Sequence, residues 1–478
     1  MTVLRYSSSV YSTGNVMCRG GTRRNRRPSG SEEENATLDG GWGWVVVMAA
    51  HFGLLLSYGS VTSFSPFVVR LKDYFGGDAG TIGGISGIAL FVTLATGSTS
   101  SSLSNKFGGR VIIFIGGVVS SFGLVVTSFV TQVQYLFVTY SVISAVGYGL
   151  VVTPLMSFPA LYFTKHYALA NGIAQAGIAV ALIVLPPLFQ ILIQTYGWRG
   201  AILFHSAITA NICVCSALLR PPPQVRYVAN DDANVPCTIR TDTDHDITDQ
   251  KEENLKQKRL WMKTSYCKFL RKFFDVSFFR NPLFVLIFFD QVIISIAFFP
   301  TLLFLVARAV SYGIPQPLPA TLPSVVGVSS LLGRLTHGYI IDRKIITATQ
   351  GLAGGLMVCG LVNIFSSFKM NYIGLACMYS VFGIANGVYH PLTTVIIREF
   401  VGVEKFPHGQ GLCNFSRGIG GILGLPIFGL IYDATNSYNA CYYFSGSVFI
   451  ISSFVLLTVP PCLRKCRSKQ PEVSVVAK

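Results

Sequence analysis

Long apolar stretches constrain what this sequence can fold into more than any other feature does. Twelve stretches are each long enough to cross a hydrocarbon core about 30 Å thick as a helix of roughly 20 residues. The first six run approximately over residues 44–68, 79–103, 111–129, 135–157, 168–195 and 200–219. The second six run over residues 281–306, 322–341, 347–368, 372–397, 409–432 and 439–459. We therefore predict an all-α polytopic membrane protein with twelve transmembrane helices.

The composition argues against a soluble enzyme. Only 12% of the 478 residues are charged, whereas a soluble domain carries about 25%. An intramembrane enzyme or an ATP-driven pump would need a motif such as GxSxG, HExxH or a P-loop, and the sequence contains none of these. The histidines in the apolar stretches also lack the spacing of metal ligands. We predict no catalytic residue, no metal and no cofactor.

A polar linker divides the apolar stretches into two sets of six. It follows the helix-breaking run Pro221-Pro222-Pro223 and contains six aspartates between residues 231 and 249. The predicted organisation is a disordered cytoplasmic tail over 1–41, an N-terminal half over 42–219, a cytoplasmic linker over 220–279, a C-terminal half over 280–463 and a second tail over 464–478. The halves repeat, because a short polar turn follows the second helix of each, with Asn105-Lys106 in one and Asp342-Arg343 in the other. Two parallel six-helix repeats are typical of the major facilitator fold.

Basic residues predict the orientation in the membrane, because Lys and Arg accumulate in cytoplasmic loops. With both termini cytoplasmic, the inner segments hold most of the basic residues, and the outer loops keep only Arg70, Lys72, Arg199, Arg308 and Lys369. The formal net charge of +16 then reflects topology and attraction to anionic lipid of the bilayer. We expect no nucleic-acid partner.

Several glycine- and aromatic-containing motifs lie at or within the predicted helices. They are Asp39-Gly40-Gly41-Trp42-Gly43-Trp44 before the first helix, Tyr162-Phe163-Thr164-Lys165 with Leu169-Ala170-Asn171-Gly172 at the fifth, Gly197-Trp198-Arg199-Gly200, and Arg417-Gly418-Ile419-Gly420 in the eleventh. These motifs resemble those of the monocarboxylate transporter family, the solute carrier family 16-like branch of the major facilitator superfamily. The resemblance implies a carrier of monocarboxylates or related small organic anions that works by alternating access. It implies the plasma membrane, with an organelle membrane as the alternative, and a single-span chaperone glycoprotein as a partner. Read physically, Asp39 is predicted to cap the first helix and the tryptophans to anchor it at the headgroups.

Arg334 is the strongest single candidate for a substrate site. It lies about eight residues, hence roughly 12 Å, from the cytoplasmic end of the eighth span, and buried ionisable residues in spans usually face a cavity. It also falls where the family keeps its substrate-binding arginine; a purely structural ion pair is the alternative. The helix 1 lysine and the helix 8 acid of the proton-coupled lactate carriers align with Thr62 and Ser330 here. These two hydroxyls either line the cavity or serve helix packing.

Asp290 is the proton-coupling candidate. Its depth in the seventh span nearly equals that of Arg334 in the eighth, so we hypothesise that the two pair and that the substrate carboxylate displaces the acid. The alternative is that Asp290 contacts a different packed neighbour. Asn386, Tyr389 and His390 in the tenth span are further candidates for the cavity lining.

Three residues are predicted to lie on the cytoplasmic side of the substrate path. Lys165 and Asn171 correspond to the family's cytoplasmic-mouth signature. Arg417 is a second cation inside a span and is predicted either to line the same path or to pair structurally. We assign these three to a cytoplasmic gate.

Three classes of function remain: a secondary carrier, a nontransporting sensor on a carrier fold, and an enzyme. The paired halves, Arg334 and the family motifs favour the carrier. Coupling to a proton is the leading expectation, and uncoupled transport of a bulkier carboxylated or amino-acid-like solute is the alternative, since Thr62 and Ser330 replace the charged residues of the lactate carriers.

Overall fold

The computed structural model describes residues 39–75, 79–220, 278–279, 281–315, 318–343, 345–368, 370–403 and 405–468. Nearly all of the predicted N-terminal tail and linker, and most of the predicted C-terminal tail, lie outside these ranges. The described residues belong to one compact unit that starts at Leu38.

Six helices make up the first half of this unit. α1 comprises Trp42–Leu56 and Tyr58–Thr62 and is followed by a shorter helix, Ser65–Phe75. α2 is Ala79–Phe107, α3 is Gly109–Ser128 and α4 is Val133–Tyr162, which contains a π-helical turn over Thr139–Ser144. α5 (167–196) and α6 (198–218) are continuous except at Gly197 and Asn211.

Six further helices make up the second half. α7 is Pro282–Leu303, followed by the short helix Leu305–Ser311. α8 is Leu318–Asp342, α9 is Ala348–Phe365, α10 is Tyr372–Val401, α11 is Phe406–Thr435 and α12 is Tyr438–Ser468. The predicted all-α fold of twelve helices is therefore confirmed.

Local sequence explains where several helices begin. Asn281 accepts the N–H of Leu283 and Pro282 occupies the first turn of α7, where a missing N–H costs nothing. Thr347 forms a capping box with Gln350 at the start of α9. Gly197 has φ +70° at the break between α5 and α6, a backbone conformation that only glycine adopts readily.

Nine helical segments of the described chain are long and apolar enough to cross a membrane, with α5 and α6 counted as one. α2 and α8 complete the twelve. They are 29 and 25 residues long and rich in Gly, Ser and Thr. Small residues allow close backbone approach between membrane helices, and both helices pack against the opposite half.

Glycines bring the two halves into close contact. α2 packs against α11, where a Cβ added to Gly411 would lie 2.7 Å from the carbonyl oxygen of Gly97. α5 packs against α8, where a Cβ on Gly172 would collide with the carbonyl oxygen of Arg334. Arg334 is therefore held on a helix that directly contacts the other half.

We call the end of the bundle formed by Asp39, residues 162–167, Asp342, residues 398–403 and residues 405–408 the Asp39 end. The prediction that Asp39 caps α1 is wrong, because the carboxylate accepts the backbone N–H groups of Thr164, Lys165 and His166 before α5, at 2.9–3.2 Å. α1 instead begins after Gly41 without a side-chain cap. The chain turns back at Gly40 and Gly41, so Asp39 faces the start of α5.

Candidate functional site

Arg334 lies at the centre of the contact between the two halves. Only 3% of its surface is exposed. Its Nη1 donates to the carbonyl oxygen of Gln175 in α5 at 2.6 Å, and its Nε donates to Ser330 Oγ at 3.3 Å. The described residues provide no acceptor for Nη2. A buried guanidinium with an unfilled donor can bind an anion from the space between the halves.

Arg417 of α11 is a second buried arginine, also 3% exposed. Its Nε donates to Gln291 Oε1 at 2.7 Å, and the hydroxyl of Tyr389 donates to the same oxygen at 2.7 Å. Arg417 Nη2 is buried and has no partner among the described residues. Two guanidinium groups of the C-terminal half thus keep unfilled donors.

Two further side chains lie near both arginines. Tyr58 of α1 and His390 of α10 each interact electrostatically with Arg334 and with Arg417. The two guanidinium groups also repel each other. We call Tyr58, Arg334, His390 and Arg417 the central cluster. It draws on both halves, since Tyr58 belongs to the first half and the other three belong to the second.

The predicted pairing of Asp290 with Arg334 is wrong in this conformation. The Asp290 carboxylate accepts a hydrogen bond from Ser452 of α12, and its Oδ2 is buried with no partner among the described residues. The direction of the side chain around the helix axis decides the partner, and Asp290 is directed towards α12 while the next residue, Gln291, is directed towards α10 and α11.

The other predicted cavity residues have mixed environments. Ser330 holds Arg334 through its hydroxyl, whereas Thr62 donates to the carbonyl oxygens of Tyr58 and Gly59 in its own helix. Tyr389 donates its hydroxyl to Gln291, and its ring lies tilted at 60° to that of His390 with the ring centroids 4.7 Å apart. Asn386 is buried and its Oδ1 has no partner in the described part of the chain.

The predicted gate residues separate into two places. Lys165 is exposed at the Asp39 end, where its backbone N–H binds Asp39. Asn171 is buried and donates to the carbonyl oxygen of Pro391 in the other half at 3.1 Å. Arg417 lies eleven residues beyond the start of α11 at Phe406 and belongs to the central cluster, away from Lys165; its role in a gate stays a prediction.

Hydrogen bonds between the halves concentrate between Arg334 and the Asp39 end. Arg398 of α10 donates to the carbonyl oxygens of Ala160 and Phe163, and Asp342 accepts the N–H groups of Ala168 and Leu169. Further such bonds join Ser101 to Pro407, Gln175 to Thr394, Asn414 to Thr153 and Asn105 to His408. The described halves are therefore joined at this end.

Arg308 was expected in an outer loop and instead is buried completely. It donates to Tyr312, to the hydroxyl and carbonyl oxygens of Ser366 and to Tyr379, and lies 3.9 Å from the ring centroid of Tyr442. It joins α7 with α9, α10 and α12 and has a structural role. Its position after a long apolar stretch gave no signal of burial.

Sequence reasoning also missed Tyr58, Gln175 and Gln291. Each is an uncharged polar residue in an apolar span, and such residues usually serve helix packing. Among the described residues, no group of three or more His, Cys, Asp or Glu is arranged to hold a metal ion.

The family model of the major facilitator superfamily matches residues 50–421 and 365–476, so the chain belongs to that superfamily. Its resemblance to the monocarboxylate transporters within it is confirmed by curated relatives. Monocarboxylate transporter 12 of Xenopus laevis is 29% identical over 446 residues, 92% of each chain. Human monocarboxylate transporter 1 is 29% identical over 423 residues, covering 87% of this chain and 85% of its own. Mouse monocarboxylate transporter 9 is 27% identical over 490 residues, covering 91% of this chain and 96% of its own.

Solved structures share the fold. The proton:xylose symporter XylE bound to 6-bromo-6-deoxy-D-glucose has a TM-score of 0.65 at 15% identity, covering 87% of this chain and 95% of its own. The fucose:proton symporter FucP of E. coli has a TM-score of 0.62 at 14% identity, covering 87% and 98%. These structures show the fold alone. Membership of the major facilitator superfamily, together with the monocarboxylate transporter relatives, makes the chain a multi-pass membrane transporter of a small molecule and not an enzyme.

Proposed function

We propose that this protein carries monocarboxylates or related small organic anions across the plasma membrane by alternating access. The observation that supports this best is Arg334, a permanent cation buried where the halves meet, whose Nη2 has no acceptor in the described chain. A carboxylate has the geometry to accept from that unfilled edge of the guanidinium. The names of the monocarboxylate transporter relatives point to the same substrate class.

We further propose that both termini and the Asp39 end face the cytoplasm. The hydrogen bonds between the halves then close the cytoplasmic side in this conformation, and the anion reaches the central cluster from outside. Transport requires these bonds to break while the opposite side closes. A single-span glycoprotein chaperone remains a proposal that only the family resemblance supports.

Asp290 is proposed as the proton-carrying residue. It is a buried acid with an unpartnered oxygen, and the sequence places no other acid in the middle of a helix of the two halves. A carboxylate held there without a cation is costly unless it is protonated. The proton would therefore travel on a group in α7, apart from the anion on Arg334.

The test is uptake of radiolabelled carboxylates into proteoliposomes, with and without an inward proton gradient. Wild type, Arg334→Gln and the control Arg110→Gln are compared; Arg110 is an exposed arginine, so the control removes the same charge at the surface. We expect saturable uptake that Arg334→Gln reduces at least about a hundredfold and the control preserves. Equal uptake by wild type and Arg334→Gln would refute the site. Binding of a carboxylate without flux would identify a sensor.

A further inference from the structure

The central cluster has two buried cations, and we propose that its preferred substrate is an organic dianion, with one carboxylate on Arg334 and a second on Arg417. This inference rests on the proposed function, because it assumes that carboxylates are carried. It narrows the substrate class from small organic anions in general to molecules with two anionic groups.

The donors of the two arginines are held separately. Arg334 is fixed by Gln175 of α5 and Ser330 of its own helix, while Arg417 is fixed by Gln291 of α7. In each arginine these contacts leave Nη2 without an acceptor in the described chain. Nη2 of Arg417 is also fully buried. Two independently positioned forks suit two carboxylates better than one.

The charge balance of the cluster favours the same conclusion. Two buried guanidinium groups that repel each other are destabilising without counter-charges. In the two helical halves, the sequence has one acid in the middle of a helix, Asp290, and its carboxylate bonds Ser452 on α12, outside the cluster. A bound monocarboxylate would compensate one of the two cations, whereas a dianion compensates both.

Tyr58 and His390 supply the remaining contacts. Both interact with each arginine, and the described residues give neither the Tyr58 hydroxyl nor the His390 ring a hydrogen-bond partner. Each can therefore donate to an anion that extends from one arginine to the other. Because Tyr58 belongs to the first half, a dianion in the cluster would contact both halves at once.

The experiment compares butyrate with succinate, which has the same four-carbon chain and one more carboxylate. Uptake is measured at a pH where both succinate carboxylates are ionised, in wild type, Arg417→Gln, Arg417→Lys, Arg334→Gln and the surface control Arg110→Gln. We expect wild type to have a KM for succinate at least about tenfold below that for butyrate. Arg417→Gln should remove that preference by raising the KM for succinate about tenfold or more, and by a larger factor than it raises the KM for butyrate.

Arg417→Lys separates the effect of losing the positive charge from an effect on folding. It keeps a cation at this position and should therefore keep part of the preference for succinate. Equal loss of both substrates in Arg417→Gln, with part of each restored in Arg417→Lys, would mean that one carboxylate bridges both arginines and would overturn the proposal. Unchanged uptake of both substrates would make Arg417 structural. Transport of butyrate without succinate overturns only this inference. Transport of neither substrate, nor of any other carboxylate, overturns the proposed function as well.

Discussion

Arg398 is expected to hold the two halves together at the Asp39 end. Its Nη2 donates to the carbonyl oxygens of Ala160 at 3.1 Å and Phe163 at 2.8 Å, and its guanidinium lies 4.0 Å from the ring centroid of Tyr167. All three partners belong to the other half, so these contacts exist only while this end is closed. Arg398→Ala should therefore favour the conformation in which the halves separate here.

The expected size of the effect follows from these contacts. A hydrogen bond from a charged donor contributes about 1.5–3 kcal/mol and a partly exposed cation–π contact about 0.5–1 kcal/mol. Arg398 is only half-buried, so water and salt screen it and the lower part of the range applies. A loss of about 2 kcal/mol would raise the ratio of separated to closed molecules about thirtyfold.

Double electron–electron resonance can measure that ratio. Nitroxide labels replace the exposed side chains of Phe107 and Ile345, one in each half, in a cysteine-free background that retains transport. Arg343→Ala is the matched control, because Arg343 is exposed and stacks 4.2 Å from Tyr339 in its own half. We expect a population of molecules with a longer distance between the two labels, and we expect it to grow in Arg398→Ala but not in Arg343→Ala. Identical distance distributions in both variants would refute the reasoning.

Three further variants test other parts of the structure. Asp290→Asn should abolish accumulation driven by a proton gradient yet leave exchange of anion for anion; pH-dependent accumulation that persists in proteoliposomes would contradict this. Burial raises the pKa of Asp39, but hydrogen bonds from Thr164 and the N–H groups of residues 164–166 outweigh it and hold the pKa below its ordinary value. Its contribution to stability is therefore present above the ordinary carboxyl pKa of about 4 and lost as pH falls through the lowered pKa. Asp39→Asn should cost at most about 1 kcal/mol at neutral pH and flatten the acid side of a melting-temperature profile; an unchanged profile would contradict the assignment. Arg308→Met should destabilise the protein by about 3 kcal/mol, because Tyr379 and the Ser366 carbonyl lose their buried donor, and an unchanged thermal midpoint in detergent would show that Arg308 is dispensable.

The helices could be predicted from the sequence because their causes are local. Twenty apolar residues in a row specify a spanning helix whatever surrounds them, and the break near residue 197 follows from a glycine at positive φ. The burial of Arg334 was predictable too, since its neighbours within α8 are apolar or small on all sides. These inferences needed no knowledge of which helices are neighbours.

Partners across the bundle could not be predicted in the same way. Asp290 and Gln291 differ by about 100° around α7, and this rotation sends one to Ser452 and the other to Arg417 and Tyr389. The sequence determines how far along α7 each residue lies, but not which neighbouring helix its side chain faces. Asp39 shows the same limit, because a residue before one helix can fold back to cap another.

Many contacts that close the Asp39 end pair a side chain of one half with the main chain of the other. Arg398, Asn171 and Ser101 donate to carbonyl oxygens, and Asp342 accepts from amide N–H groups. A main-chain carbonyl persists through any substitution and an amide N–H through any substitution except proline, so each of these bonds is altered by mutation mainly from the side-chain half. Water can also replace the lost partner at once when the halves part. Evolution can therefore tune how easily the carrier opens by changing a few donors singly, without matching changes in the opposite half.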